Sequence, residues 1–203
     1  FTAEGGKADY NLMIKTLSKA DIVFIGETHN CPIAHWLEYE IASDIAERYP
    51  NGLVLGAEMF ERDNQLLVDE YVSGLISSDK FEAEAKLWDN HYTDYAPLLY
   101  LAREKGLRFV ATNVPRRYAS FVKDNGLQAL ETLSEEAKSL MPPLPIAFDE
   151  SQAENEMFSF MNMMGRHGTD SHYAEAQALK DAAMAWSIAE NFDRRFIHFN
   201  GNF

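Results

Sequence analysis

Four short apolar runs, separated by stretches long enough to hold a helix, constrain this chain more than any other feature. They are residues 22–25 (Ile-Val-Phe-Ile), 53–57 (Leu-Val-Leu-Gly-Ala), 107–111 (Leu-Arg-Phe-Val-Ala) and 196–199 (Phe-Ile-His-Phe). Each is rich in branched or aromatic residues and bounded by polar or turn residues, which predicts strands. Continuous apolar character, as in residues 22–25, predicts a strand buried on both faces, the kind found in parallel sheets. Between the first two runs, Ile33, Trp36, Leu37, Ile41 and Ile45 recur at helical spacing, and Asn30-Cys31-Pro32 supplies a helix start. A strand–helix–strand order predicts parallel strands joined by a right-handed crossover. The expected fold is α/β, with a mostly parallel central sheet flanked by helices and an additional helical segment over roughly residues 120–190. One domain spanning residues 1–203 is expected.

The intervening segments carry their own signals. Residues 63–86 are helical and acidic with breaks at Gly74 and Ser77-Ser78, and residues 96–105 form a helix ended by Gly106. Residues 87–95 (Leu-Trp-Asp-Asn-His-Tyr-Thr-Asp-Tyr) form a polar–aromatic loop, suited either to a lid or wall for a flat ligand or to plain surface packing. Residues 121–140 read as amphipathic helix broken at Asn125-Gly126, and Met141-Pro142-Pro143-Leu144-Pro145 marks a connection. Residues 150–164 are helical and rich in Met and Phe, which adapt to irregular apolar surfaces. On the alanine-rich helix from Tyr173 to Asn191, Asp181 precedes a stretch that reads as buried, so it should have a partner, an arginine by preference.

The strand exits carry the chemistry. The first run passes into Gly26-Glu27-Thr28-His29, the second into Glu58, the third into Asn113 with Pro115, Arg116 and Arg117, and the fourth into Asn200-Gly201. In a parallel sheet such exits share one rim, where ligands of open α/β sheets bind. The rim would gather carboxylates, an imidazole and a guanidinium. Such a set can hold a divalent metal through Glu27, His29 and Glu58, grip an anion through arginine, or perform acid–base work. Asn113 could cap the following helix, whose amino terminus favours anions. His35, one turn into the first crossover helix, reads as a core or boundary residue.

The bulk properties exclude several classes. Thirty-two acidic against eighteen basic residues give a net charge of -14, which argues against nucleic acid and anionic membrane surfaces as partners. A single cysteine, Cys31, rules out an intramolecular disulfide. No glycine-rich phosphate loop and no serine nucleophile elbow is present. The sequence stops just after an apparent strand, where further residues are expected.

Taken in order, Ile-Gly-Glu-Thr-His (25–29), Gly-Ala-Glu-Met-Phe-Glu (56–61), Asp-Tyr-Ala-Pro-Leu (94–98), Ala-Thr-Asn-Val-Pro-Arg-Arg-Tyr (111–118), Gln-Ala-Leu-Lys-Asp-Ala-Ala-Met-Ala (177–185) and His-Phe-Asn-Gly-Asn-Phe (198–203) resemble the ChaN-like haem-binding uptake family. That family lies within a Tiki/TraB/erythromycin-esterase-type superfamily, and the resemblance covers nearly the whole chain as one ChaN-like domain. It implies an iron-regulated bacterial lipoprotein that binds haem at a homodimer interface. Tyrosine would ligate the iron and basic side chains would meet the propionates. Tyr95 is the first candidate ligand, with Tyr92, Tyr118 and Tyr173 as rivals; Arg116, Arg117 and Lys123 are candidates for the propionates. The resemblance further implies a cell-envelope location, by a lipid anchor on the outer membrane or facing the periplasm. Tiki-like relatives are metal-dependent peptidases with two Gly-x-x-His motifs, a glutamate and an arginine. Gly26–His29, Glu58 and Arg116 match three of these, which implies the alternative of a metal-dependent hydrolase. The second motif would begin at Gly201, but the sequence ends one residue before its histidine.

Overall fold

A computed structural model of the chain describes residues 1–2, 4–149 and 172–201. Four strands form one parallel sheet: β1 (Ile22–Glu27), β2 (Leu53–Glu61), β3 (Arg108–Asn113) and β4 (Arg195–Gly201), in the order β1-β4-β2-β3. The crossover helix α2 (Pro32–Arg48) joins β1 to β2, which are parallel as expected, but the last strand is inserted between them. Its register places Phe24 opposite His198 and Glu27 opposite Gly201. The remaining described helices are α1 (Tyr10–Leu17), α3 (Gln65–Val72), α4 (Ser78–Glu84), α5 (Ala96–Lys105), α6 (Arg116–Asn125), α7 (Glu135–Lys138) and α8 (Tyr173–Asn191). Short 3-10 turns lie at Arg62–Asn64 and Leu127–Thr132, and a π turn at His91–Tyr95. The Met-rich residues 150–164 lie outside the described residues.

Alternation along the strands builds two layers of core. On one face, Leu55, Ala57, Phe109, Ile197 and Phe199 pack with Ile41 and Ile45 of α2 and Leu98 and Leu101 of α5. On the other, Val54, Val110 and Phe196 pack against Ile188 of α8. Gly56 belongs to this second face. A Cβ there would lie 2.7 Å from Phe196 Cζ and 3.0 Å from Thr112 Cγ2, so glycine is what lets the phenyl ring cross β2. The Ser187 hydroxyl of α8 lies 3.0 Å from the Thr112 carbonyl oxygen. Arg62 donates to the same hydroxyl at 2.6 Å and stacks over Trp186.

Four expectations are corrected. β1 is covered on one face only: Val23 and Glu27 are buried, but Ile22 is 38% and Phe24 64% exposed. The reason is topological, because β1 is an edge strand and α8 packs over β3 and β2 at the far side. Glu58 lies inside β2, which runs on to Glu61 across a shift in register between Ala57 and Glu61. Asn113 is the last residue of β3 and not a cap; the residue preceding α6 is Pro115. Asp181 is exposed, where a buried setting was expected; the expectation of a partner itself stands, Gln177 Nε2 donating to it at 3.0 Å. The helix starts otherwise follow the sequence, with Pro32 in the first turn of α2 after Cys31 and Gly106 closing α5 in the left-handed region.

Candidate functional site

The carboxyl end of β1 delivers Glu27 into the interior, where it is 1% exposed. Its two oxygens face different company. Oε1 accepts a hydrogen bond from the Tyr95 hydroxyl at 2.7 Å and lies 2.5 Å from His29 Nδ1. Oε2 lies 3.1 Å from His35 Nδ1. The same nitrogen is 3.2 Å from Glu38 Oε2, one turn further along α2. The other nitrogen of His35, Nε2, is 3.1 Å from the His29 carbonyl oxygen and 3.5 Å from Asp94 Oδ2. Asn90 holds that carbonyl too, donating to it at 3.0 Å and to Asp94 at 2.7 Å. The polar–aromatic segment therefore closes over the β1 exit as a packed wall: Trp88 meets the His29 ring edge-on at 5.0 Å and Tyr95 at 5.8 Å.

Burial sets the protonation of this cluster. Removal from water, followed by the charge and hydrogen bond of neighbouring Glu27, pushes the Glu38 carboxyl up to about 9. That direction favours the protonated, neutral form of Glu38. Burial and the hydrogen bond to Glu27 likewise raise Tyr95, so its phenol stays protonated.

At the rim itself, His29 is partly open to solvent while Glu58 is 4% exposed. Glu58 Oε2 accepts from the Gly201 amide at 2.9 Å. A Cβ on Gly201 would lie 2.9 Å from both Cε1 and Nε2 of His29 and 3.6 Å from Glu58 Oε2. Glycine at 201 thus lets the imidazole of β1 lie across β4 toward the carboxylate of β2. A carboxylate on Nδ1 that orients an imidazole with its Nε2 edge free is a general-base arrangement.

The structure brings Glu27, His29, Glu58 and Tyr95 together. Arg116 stands exposed in the first turn of α6 beyond β3, three strand spacings from β1, which is about 14 Å across a sheet. Arg117 pairs with Asp63 and stacks over Tyr118, which is half-buried. Tyr92 is 71% exposed, and Tyr173 is 37% exposed at the start of α8. Tyr95 is 0% exposed, so no flat macrocycle reaches its oxygen in this arrangement. Sequence reasoning missed the part played by His35, Glu38, Asn90 and Asp94. The signal for the first pair was a His-x-x-Glu spacing on a helix that is otherwise apolar on that face.

The fold and site define a class: a parallel α/β sheet whose β1 exit carries a buried acid–imidazole cluster and whose rim carries a carboxylate-oriented histidine. Residues 13–203 match the family described as haem-binding uptake, Tiki superfamily, ChaN, and the chain belongs to that family. A solved structure showing cofacial heme binding to ChaN of Campylobacter jejuni aligns with a TM-score of 0.74 over 98% of this chain and 76% of that one. At 14% identity this likeness concerns the fold alone. Protein RETICULATA-RELATED 5, chloroplastic, from Arabidopsis thaliana is 25% identical over 186 residues, taking in 86% of this chain and 25% of that protein. The chain thus spans about a quarter of the length of that relative. Among the described residues no helix is long and apolar enough to cross a membrane.

Proposed function

We propose that this protein binds haem for iron or haem uptake, and does so as a homodimer that encloses the cofactor between its copies. The family match over residues 13–203 carries this reading. The surface near the rim supports it. Ile33 and Trp36, on the outer side of α2, are 72% and 59% exposed, an apolar face of the kind a porphyrin covers. Among the candidate ligands, Tyr95 does not fit, being buried and committed to Glu27. Tyr92 fits best, with an open phenol able to ligate ferric iron; Tyr118 and Tyr173 are its rivals. Arg116 is the exposed guanidinium for a propionate, whereas Arg117 is engaged with Asp63. A bound haem would supply the iron and the apolar plane, and the protein's part is to offer a phenolate, a cation and a dry face. A cell-envelope location through a lipid anchor belongs to the same reading, and membrane fractionation of the full-length protein tests it.

Titration of the purified protein with hemin should give a saturable, shifted Soret band that Tyr92→Phe abolishes, with a doubling of mass by light scattering on saturation. No saturable shift overturns the reading; a shift lost in Tyr118→Phe or Tyr173→Phe instead moves the ligand.

One observation favours a second reading, a metal-dependent hydrolase. Glu27 orients His29, whose Nε2 edge faces Gly201 and Glu58. Two carboxylates and an imidazole suit a divalent ion. Residues 202 and 203 of the second Gly-x-x-His motif lie outside the described residues. Peptide and ester hydrolysis that depends on added metal and vanishes in His29→Ala would support it; hydrolysis unchanged in that variant would reject it.

A further inference from the structure

The buried side of Glu27 is chemically incomplete. Glu27 and Glu38 are each 1% exposed and His35 is 6% exposed. Glu27 Oε2 and Glu38 Oε1 meet no donor from any other described residue, and a hydrogen bond between the two carboxyl groups exists only while one of them keeps a proton. Leaving such oxygens unmet in the interior is costly. The neighbours of His35 Nε2 are the His29 carbonyl and the Asp94 carboxylate, both acceptors, so Nε2 carries the ring proton. In the neutral ring, Nδ1 then presents a lone pair, and it points at Glu27 Oε2 and Glu38 Oε2, 3.1 and 3.2 Å away. Three electron pairs converge on one space, with one donor atom from each residue inside a 4.8 Å span.

We propose that Glu27 Oε2, His35 Nδ1 and Glu38 form a closed, structural site for a divalent transition cation such as zinc. Donors about 2.0–2.1 Å from a tetrahedral zinc sit roughly 3.3 Å from one another, close to the two nitrogen–oxygen separations seen here. The supporting shell has the form that orients metal ligands: a carbonyl on the far nitrogen of the histidine, and a phenol on the far oxygen of the glutamate. Two carboxylates and a dication also sum to zero charge, which is what burial requires. The rival is a pair of protons, one on Nδ1 and one on Glu38, which reaches the same neutrality without a metal. The site is distinct from the rim, since His29 and Tyr95 engage the other oxygen of Glu27. It stands independently of haem binding.

The experiment compares metal affinities. Protein stripped with chelator is titrated with zinc against a chromophoric competitor, and with cobalt, whose visible spectrum reports coordination by nitrogen and oxygen. Wild type should take up one equivalent of zinc with a rise in melting temperature. Glu38→Gln copies the protonated carboxyl, so it should fold like the stripped wild type but bind zinc at least about 100-fold more weakly. His35→Ala should bind no better. His29→Ala should keep the full affinity. The proposal is overturned if wild type takes up no stoichiometric metal, if Glu38→Gln binds as tightly as wild type, or if His29→Ala abolishes binding, which would place the ion at the rim.

Discussion

His198 offers the sharpest test of the interior electrostatics. It is 1% exposed on β4, with Nε2 2.9 Å from Thr112 Oγ1 and Nδ1 3.2 Å from Asn200 Oδ1. Burial lowers it from about 6.5 to about 4. Between those values the unfolded chain binds the proton and the folded chain does not, so stability is full above pH ~6.5 and is lost as pH falls toward 4. From pH ~7 to pH ~5 the loss is roughly 2 kcal/mol, saturating near 3 kcal/mol below the folded value. The raw stability curve will not display this. Glu38, raised to about 9, works the other way. Its contribution is present at low pH and fades as pH rises, so acidification over the same interval offsets the histidine's loss. The difference between wild type and His198→Gln isolates the histidine, because the glutamine amide can still meet Thr112 and never titrates there. At neutral pH the variant should be about 1–3 kcal/mol less stable, from imperfect packing and hydrogen bonding. By pH ~5 that gap should shrink by roughly 2 kcal/mol. Urea denaturation of both proteins in chelator, followed by tryptophan fluorescence, measures it. A gap constant to within about 0.5 kcal/mol across the interval would refute a neutral, buried His198.

Three further substitutions test the packing that positions the site. Tyr95→Phe removes the donor to Glu27 Oε1 and should cost about 1–3 kcal/mol in urea denaturation, because a buried carboxylate loses its partner; no change would mean that the phenol is not seated there. Gly56→Ala forces a methyl against Phe196 and Thr112 and should cost roughly 1–3 kcal/mol by overpacking, read as a lowered melting temperature. Gly201→Ala puts a methyl 2.9 Å from the His29 ring, so the ring must shift from its place beside Trp88. The His29 ring proton resonances should shift while the core amides stay put, and unchanged resonances would contradict the rim geometry.

Much of the layered architecture was legible because each strand and most helices announce themselves locally. The four apolar runs, the Pro32 and Gly106 boundaries and the breaks at Gly74 and Gly126 need no long-range information. Strand order does. Nothing in residues 195–201 says that they insert between β1 and β2, and that insertion is what carries Gly201 beneath His29. The exposed face of β1 was hidden for the same reason, since an edge strand and a central one can share the sequence Ile-Val-Phe-Ile. Glu27, His29 and Glu58 were visible as polar residues at the ends of apolar runs. His35 and Glu38 were not, because a polar residue facing inward from a helix has no meaning until the partner across from it is known, and that partner is Glu27. Tyr95 shows the converse: its surrounding motif marked it as important, but only the packing of the π turn shows that its oxygen faces inward.

The distribution of charge decides how the two ends of the rim can be used. Glu27, Glu38, Glu58 and Glu61 are all buried near the carboxyl ends of β1 and β2. Each is accommodated separately: Glu61 by Lys86 at 2.8 Å, Glu58 by the Gly201 amide, Glu27 by Tyr95 and the two histidines, and Glu38 by retaining a proton. The nearby guanidiniums are already occupied, Arg62 with Ser187, Glu190 and Trp186, and Arg117 with Asp63. Among the described residues neither Glu27 nor Glu58 has a lysine or arginine partner, so the β1 end favours cations over carboxylates. At the β3 end, Arg116 stands exposed at the start of α6, where the helix amino terminus adds its own positive potential. A dianionic ligand such as a haem is thus attracted at one end of the rim and repelled at the other. On the proposed haem reading its anionic edge would meet Arg116, while the acid–imidazole cluster some three strands away is the place proposed for a cation.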